Sequence, residues 1–366
     1  MTRWFTRTVL TMATALTLLA CGGEKAAENT AQKEAKSYKW KLVTSWPKNF
    51  PGLGTAPENF AKMVNEMSDG RLSIKVYGAG EIVPGFEVFD AVSQGTAEMG
   101  HAASYYWKGK MAAAPIFTAM PFGFNAQETN GWLHYGGGLE LWRELYKPFG
   151  VIPFAGGNTG VQAAGWFKKE INSVDDLQGL KMRIPGLGGE VMKKLGAVPV
   201  ALTGGELFTS LQSGAIDATE WVGPYNDLAF GFYKVTDHYY MSGWHEPGAM
   251  LEFTVNEKAY KGLPKDLQKI IEVATRAINQ DMLDEYTARN NAAIEQLKTK
   301  HGVQFKTLPK DVMAALRKAS VEVIAEQEKN DPMFAKVMVS YNQFLRQVSA
   351  YHQLSEVEYY QNRSGE

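Results

Sequence analysis

Two segments of the chain share one pattern, and this repetition most restricts what the chain can fold into. Residues 89–99 read FDAVSQGTAEM, and residues 208–218 read FTSLQSGAIDA. Each segment predicts a short helix that packs through Phe and an aliphatic residue, ends at Gly95 or Gly214, and leads to an acidic residue before a strand. The repetition predicts two α/β lobes of related design, although two helix ends could also share the pattern by chance.

The order of elements around the first copy supports an α/β fold. Residues 40–45 and 72–77 read as strands, and residues 58–69 between them read as an amphipathic helix. Strand–helix–strand order predicts a mainly parallel sheet covered by helices, with a ligand in the cleft between the lobes. After Pro264 the chain is nearly all helical, with one apolar stripe.

These patterns predict two α/β lobes with a ligand cleft between them and a long helical C-terminal region. The expected boundaries are residues 39–160 plus 250–300 for the first lobe and 161–249 for the second. Residues 301–366 are expected to be helices that brace the lobes or contact a second subunit.

The N-terminus predicts export. Arg3 and Arg7 precede an apolar run at residues 9–20, which is too short to span a bilayer and is typical of an export signal. The run ends in Leu-Leu-Ala-Cys, which resembles the lipidation motif of bacterial lipoproteins, and an ordinary signal peptide is the alternative. Cys21 is the only cysteine, so the mature fold is expected to have no disulfide and no thiol nucleophile. Residues 22–38 are predicted to form a flexible tether.

Composition and motifs argue against several functional classes. The chain has 366 residues, 45% of them hydrophobic, and a net charge of -1, which gives no electrostatic basis for nucleic-acid binding. Neither a phosphate-binding G-x-x-x-x-G-K-[ST] loop nor an H-E-x-x-H zinc helix is present. The six histidines are dispersed, and none has a partner at metal-ligand spacing. An enzyme is therefore the weaker hypothesis.

Arg183 is the strongest candidate for ligand binding. It lies at the end of a short predicted strand and just before Pro185 and Gly186, which end that strand sharply. A guanidinium on a rigid strand end can hold a carboxylate through two parallel hydrogen bonds. The alternative for a single arginine is a surface ion pair.

Further candidates follow other predicted strands or occupy turns. Gln162 offers an amide after a strand, Glu220 follows the strand of the second copy, and Glu246 lies in a turn. Residues 104–107, Ser-Tyr-Tyr-Trp, provide aromatic walls and phenolic hydroxyls from the first lobe. Core aromatics and surface carboxylates are the alternatives for each of them.

Taken together, these segments resemble a known family. The KMRIPG setting of Arg183, the LQSGAIDA helix end, Glu220-Trp221 and the SYYW wall resemble the solute receptors of tripartite ATP-independent periplasmic (TRAP) transporters. The subgroup that binds α-keto acids and lactate with a metal ion is the most similar. The resemblance extends from about residue 40 to the final helices.

The resemblance implies a two-lobe fold like that of periplasmic binding proteins, whose lobes close on the ligand like a hinge. It also implies a role for each candidate. Arg183 is expected to pair with the substrate carboxylate. Glu220 and Gln162 are expected to contact both substrate and cation. The pocket is expected to be closed by Tyr105, Tyr106 or Trp107. The remaining ligands of an all-oxygen shell for sodium or calcium are expected to be the Trp221 carbonyl and Glu246.

The resemblance also implies partners and a location. We expect a receptor that delivers a small monocarboxylate, such as pyruvate or lactate, to TRAP membrane subunits. It is expected to face the periplasm, anchored to a membrane through Cys21, and to form a homodimer. An exported metal-assisted enzyme acting on a 2-oxo acid is the alternative, but the sequence offers no obvious general base beyond the expected ligands.

Overall fold

The computed structural model describes residues 36–363. The predicted export signal, the lipidated Cys21 and most of the predicted tether lie outside the described residues. Within residues 36–363, no helix is both long enough and apolar enough to cross a membrane.

The described strands form two separate sheets. In chain order they are β1 Tyr38–Thr44, β2 Leu72–Tyr77, β3 Met99–Ala102, β4 Val151–Asn158, β5 Gly165–Phe167, β6 Lys181–Arg183, β7 Val198–Val200, β8 Ala218–Thr219, β9 His238–Tyr240, β10 Met250–Asn256 and β11 Gln304–Lys306. The first sheet has the order β2-β1-β3-β10-β4, and the second has the order β11-β9-β5-β8-β6-β7.

Helices cover these sheets and form the C-terminal region. They are α1 Thr55–Met67, α2 Val88–Ser93, α3 Ala126–Tyr135, α4 Gly138–Tyr146, α5 Gly186–Lys194, α6 Leu207–Ser213, α7 Pro224–Phe230, α8 Glu257–Lys261, α9 Lys265–His301, α10 Lys310–Asn330, α11 Pro332–His352 and α12 Glu358–Arg363.

The parallel pairing predicted from the strand–helix–strand order is confirmed for β1, β2 and β3, but antiparallel strands join them and both sheets are mixed. In the first sheet β1 runs parallel to β2 and β3, while β10 runs antiparallel to β3 and β4. In the second, β6 runs parallel to β7 and β8, while β5 runs antiparallel to β8 and β9. Because β4 leads out of the first sheet and β10 leads back into it, these two strands run in opposite directions.

The repeated pattern forms the same local structure in both sheets. Helix α2 is followed by Gly95 and then β3, and helix α6 is followed by Gly214 and then β8. The two glycines have φ angles of 76° and 79°, in the left-handed region that favours glycine. The predicted helix ends are therefore confirmed.

The acidic residue of each copy also has the same partner. Glu98 accepts a hydrogen bond from the backbone N–H of Lys41 in β1 at 2.7 Å. Asp217 accepts one from the backbone N–H of Lys181 in β6 at 3.0 Å. In each sheet, the carboxylate thereby ties the strand that follows it to the neighbouring parallel strand.

The C-terminal region contacts elements of both sheets. Helix α9 packs along β4 and against α1 and α7. The predicted apolar stripe is confirmed at Leu267, Ile271, Ala274 and Ile278, which are all buried. Strand β11, in a region predicted to be helical, joins the second sheet beside β9. Helix α10 packs on α5, and α11 packs on α3 and α4.

The lobe boundaries expected from the sequence remain a proposal.

The first sheet buries a carboxyl group that has no cationic partner among the hydrogen bonds it makes. Glu252 of β10 is fully buried. It accepts hydrogen bonds from the Trp107 indole at 2.5 Å and the Tyr146 hydroxyl at 2.8 Å. Burial raises the pKa of Glu252 to about 7, although both hydrogen bonds lower it. The folded state therefore binds this proton more tightly than the unfolded chain does.

This raised pKa predicts a pH-dependent effect of Glu252→Gln. The stability that Glu252 gives the wild type is greatest at low pH. It decreases as pH rises from the pKa of Glu252 in the unfolded chain through about 7, its pKa in the folded state. We expect the variant to be less stable than wild type at about pH 5, because the amide nitrogen cannot accept a hydrogen bond. By about pH 8 the deficit should shrink by about 2–3 kcal/mol, because only wild type then buries a charge.

Urea unfolding at the two pH values measures this difference, and other titrating groups cancel in the comparison. Glu295→Gln, at an exposed position of α9, is the control. A loss of stability in Glu252→Gln that stays constant with pH would contradict the raised pKa of Glu252.

Candidate carboxylate and cation site

Arg183 and Glu220 are brought together by the register of two parallel strands. Arg183 ends β6 opposite Thr219, which ends β8. Since the carboxyl ends of parallel strands meet at one edge of a sheet, Glu220 lies beside Arg183. Arg183 Nη1 forms an ion pair with Glu220 Oε1 and donates to the Glu220 backbone oxygen at 3.2 Å. The two residues are 1% and 0% exposed. The pair is therefore buried and is not a surface ion pair.

The remaining contacts of Arg183 leave one nitrogen nearly free. Nε donates to the Leu202 backbone oxygen at 3.3 Å, and Nη2 has only a 3.4 Å contact with the Tyr106 hydroxyl. Cζ lies 5.0 Å from the centre of the Trp221 ring. Burial, the largest single influence, lowers the pKa of Arg183, but Glu220 and the smaller contributions of Tyr106, Tyr105 and Glu246 together outweigh it, and the net pKa is raised. A carboxylate can therefore reach Nη2 of a charged guanidinium, and the predicted two-nitrogen grip requires Glu220 to release Nη1.

The predicted aromatic wall is only partly formed. Tyr105 and Tyr106 line the cleft, and burial raises the pKa of both, that of Tyr106 to about 12, so their hydroxyls stay neutral. Trp107 instead points into the core of the first sheet, where it donates to Glu252, and it lines neither cavity described below. Successive residues of the 3₁₀ turn Ser104–Trp107 point in different directions. The structure thus does not support Trp107 as a pocket wall.

Two cavities meet at Tyr105 and Tyr106. The outer cavity has a volume of about 320 Å³ and reaches Arg183. The inner cavity has a volume of about 10 Å³ and is lined by Trp46, Gln162 and Trp221 among others. A void of that size holds about one water molecule. An organic acid can therefore enter the inner cavity only if the surrounding elements move apart, as they do when a hinged cleft opens.

The residues around the cleft fit a cation. Gln162 Oε1, Glu220 Oε2 and Glu246 Oε2 are buried, and none has a hydrogen-bond partner among the described residues. Gln162 and Glu246 are also tied together, because the Gln162 backbone N–H donates to the Glu246 carbonyl at 3.0 Å. Buried oxygens without a donor are costly, and a cation would satisfy them. Trp221 lines the inner cavity, and a ligand role for its carbonyl remains a prediction.

The charge around Glu246 also favours a cation. Burial raises the pKa of Glu246 well above its ordinary value, and the Glu220 charge raises it further, while Arg183 lowers it. Two carboxylates with one arginine leave negative charge in a buried place. A positive ion bound here would favour ionised Glu246.

His245 belongs to this group but was not predicted from the sequence. Its Nε2 atom lies 3.6 Å from Glu220 Oε2, and the residue is 2% exposed. His245, Glu220 and Glu246 each offer a ligand atom, and these atoms lie within 4.8 Å of one another. The available signal was the position of His245 next to Glu246, whereas its proximity to Glu220 depends on the fold.

Trp46 was also missed as a wall of the inner cavity. Its indole N–H donates to His101 Nδ1 at 2.8 Å, and His101 Nε2 lies 3.0 Å from the Gly156 carbonyl. Burial lowers the pKa of His101 to about 4, so the ring is neutral and its proton lies on Nε2. His101 therefore fixes the orientation of Trp46, and no local pattern indicates this pairing.

The relatives of this chain share its fold. The family model for the bacterial extracellular solute-binding protein, family 7 (DctP), matches residues 42–330. A protein of Nostoc sp. (strain PCC 7120), named a monocarboxylate 2-oxoacid-binding periplasmic protein, is 44% identical over 333 residues, which cover 90% of this chain and 91% of that protein.

Two crystal structures of TRAP periplasmic solute-binding proteins superpose on the chain with a TM-score of 0.87. The protein from Pseudoalteromonas atlantica is 47% identical, covers 89% of this chain and 99% of its own, and was solved with bound sodium and pyruvate. The protein from Colwellia psychrerythraea is 48% identical, and the match covers 89% of this chain and 100% of that protein. It was solved with bound calcium and pyruvate.

Two mixed sheets covered by helices, with a buried arginine beside unpartnered oxygens in a cleft, define a solute-binding protein. The chain belongs to the bacterial extracellular solute-binding protein family 7. This is a family of transporter receptors and not of enzymes. The predicted fold, with its two lobes and long helical C-terminal region, is confirmed by the crystal structures.

The charges of the site predict opposite effects for two similar substitutions. Glu220→Gln leaves Arg183 buried without its anionic partner, so the free energy of unfolding of the ligand-free protein should fall by about 3–5 kcal/mol. Glu246→Gln removes a carboxylate that burial disfavours, so stability should be unchanged or slightly higher. Chemical denaturation of chelator-treated protein measures both. Equal losses would show that Glu220 does not specifically support the buried charge of Arg183.

Proposed function

We propose that this chain is the periplasmic receptor of a TRAP transporter and binds a small 2-oxo monocarboxylate, such as pyruvate, together with sodium or calcium. The observation that carries the proposal is the buried Arg183–Glu220 pair beside the unpartnered oxygens of Gln162 and Glu246. Similarity to proteins solved with pyruvate and a cation supports it, as does similarity to a protein named for 2-oxoacid binding.

Each residue has a distinct task in this proposal. Arg183 Nη2 meets the substrate carboxylate, and the Tyr106 hydroxyl beside it can donate a second hydrogen bond. Gln162, Glu220 and Glu246 hold the cation, with the Trp221 carbonyl as a further ligand. The bound cation supplies the positive charge that attracts the substrate oxygens.

Counting charges indicates which cation suits the closed cleft. Glu220, Glu246 and a monocarboxylate carry three negative charges, and Arg183 carries one positive charge. Sodium leaves a net charge of minus one, and calcium leaves the cleft neutral. Since an uncompensated buried charge is costly, the count favours calcium. A sodium-bound site would need the partial positive charge of the N-terminus of α5, which begins at Gly186.

The mouth of the cleft is marked by an ion pair between the two sides. Lys108, which follows the turn after β3, pairs with Glu190 of α5, and both residues line the outer cavity. Their side chains are about one-third exposed, at 32% and 35%, so the pair contributes little stability. It can therefore break when the cleft opens to admit the substrate.

Anchoring through Cys21 is part of the proposal, although this residue lies outside the described part of the chain. A lipid at Cys21, followed by the tether of residues 22–38, would keep the receptor near its membrane partner. The alternative of a metal-assisted enzyme acting on a 2-oxo acid is not supported, because the family consists of receptors.

Substitution of Arg183 tests the carboxylate contact. Arg183→Lys keeps the charge but loses the planar guanidinium, so we expect pyruvate binding to weaken by about 1.5–3 kcal/mol. Isothermal titration calorimetry with calcium present measures the affinity, and Arg317→Lys on α10 is the matched control.

Binding of pyruvate should also weaken strongly in chelator-stripped protein without sodium or calcium. Unchanged affinity in Arg183→Ala, or in cation-free buffer, would remove the proposal.

We also propose that the chain forms a homodimer through its last helices. A groove of about 490 Å³ beside α11 is lined by Tyr135, Val339 and Phe344, and Tyr135 and Val339 are 87% and 70% exposed. The following segment also presents apolar groups to solvent, because Leu354 is 82% and Tyr360 is 62% exposed. Exposed apolar side chains that line a groove are typical of a protein interface.

Light scattering tests this assembly. The wild type should have the mass of a dimer, and Val339→Asp should shift it toward the monomer, because a charge would be buried in the interface. Val321→Asp, at a position of α10 that is 65% exposed, should remain dimeric. A monomeric wild type would contradict the proposal, and so would a dimer that Val339→Asp leaves intact.

A further inference from the structure

An imidazole that the expected all-oxygen shell does not include lies in the candidate cation site. Glu220, His245 and Glu246 are 0%, 2% and 3% exposed, and one ligand atom of each lies within 4.8 Å of the others. The residues come from two different segments, the end of β8 and the turn between β9 and β10. The fold therefore assembles a compact set of one imidazole and two carboxylates.

The imidazole of His245 is fully buried and unpartnered. Neither ring nitrogen has a hydrogen-bond partner among the described residues. The separation of 3.6 Å between His245 Nε2 and Glu220 Oε2 is too long for a hydrogen bond. Leaving both nitrogens of a buried imidazole unpaired is costly. A cation that interacts with Nε2 and the carboxylates together removes the part of this cost that belongs to Nε2.

The position of His245 is fixed by close packing. A Cβ atom at Gly188 of α5 would lie 3.1 Å from the His245 Cβ, and the Trp244 ring lies 5.4 Å from the imidazole. A side chain at residue 188 would require His245 or Ile184 to shift by a few tenths of an ångström. The packing therefore keeps the Cβ of His245 close to α5.

We propose that His245 is a ligand of the cation and that the site consequently binds divalent transition ions, such as Co²⁺ or Zn²⁺, in addition to hard ions. This inference rests on the proposed function. Imidazole nitrogen suits Zn²⁺, Co²⁺ and Ni²⁺, whereas calcium is bound almost entirely by oxygen. Two ligand atoms at ordinary distances from a tetrahedral Zn²⁺ lie about 3.4 Å apart, which is close to the observed Glu220–His245 separation.

The charge of the site agrees with a divalent ion. A metal-bound imidazole adds no charge, and the charges of Arg183, Glu220 and Glu246 sum to minus one, so a divalent ion and a monocarboxylate together bring the sum to zero. Gln162 Oε1 is also buried without a hydrogen-bond partner, on a residue whose backbone N–H donates to the Glu246 carbonyl, and it can complete the protein ligands. Adjacent carboxylate and carbonyl oxygens, which a 2-oxo acid has, chelate divalent ions of this class. Metal identity would then be set by His245, and substrate identity by Arg183.

Cobalt binding tests this inference directly. His245→Gln replaces a nitrogen ligand by an amide oxygen, so it should change the selectivity of the site more than its capacity to bind. We expect Co²⁺ affinity, followed by visible absorption, to fall about tenfold or more, while calorimetry shows a much smaller change for Ca²⁺. His301→Gln, at an exposed position of α9, is the matched control and should behave like wild type.

NMR of the Co²⁺-loaded wild type gives a measurement that does not depend on the variant. A ligating imidazole retains one exchangeable ring N–H, which cobalt shifts far outside the normal range, and this signal should be absent in His245→Gln. The signal in wild type and its loss in the variant support the inference. Its absence in wild type, an unchanged cobalt spectrum in His245→Gln, or equal losses of Co²⁺ and Ca²⁺ affinity would overturn it.

The two proposals fail separately. If the wild type binds pyruvate with calcium but does not bind Co²⁺, the inference about His245 is overturned and the receptor proposal stands. If pyruvate does not bind with any of these ions, the receptor proposal fails whatever His245 does.

Discussion

The buried ion pair of Arg183 and Glu220 is the interaction on which the site depends. Moving both charges out of water is costly, and their attraction offsets this cost only when further hydrogen bonds fix the geometry. Here the register of β6 and β8 sets the spacing, and the Glu220 backbone carbonyl gives Arg183 a second acceptor. Because little water surrounds the pair, each nearby charge is felt strongly. The unpartnered oxygen of Glu220 thus makes the pair a place where a cation and an anion can bind together.

Local signals in the sequence account for much of the fold and for the core of the site. Gly95 and Gly214 end helices because their backbone enters a region that favours glycine. Arg183 and Glu220 were expected at strand ends, and neighbouring strand ends necessarily meet at one sheet edge. The direction of β10 had no such signal, because an antiparallel return strand and a parallel strand have similar apolar patterns.

The remaining features depend on contacts between distant segments. Trp107 follows Tyr106 directly, yet it points into the core because Glu252, 145 residues away, accepts its indole hydrogen. His101 and Trp46 are paired only when β3 lies next to β1. His245 carries no spacing signature, since its neighbour Glu220 comes from another loop. The oxygen-only shell expected from the sequence therefore omitted the one residue that changes the chemical character of the site.

Two of the three connections between the sheets have a mechanical consequence. Gln162 lies on the connection from β4 to β5, Glu246 lies on the connection from β9 to β10, and a backbone hydrogen bond joins them. An ion that draws these two residues together acts at the pivot of the cleft, whereas Lys108 and Glu190 lie at its rim. A small rotation near a hinge displaces the far ends of the two lobes by a much larger distance. Ångström-scale adjustment around the ion would thereby open or close the mouth of the cleft.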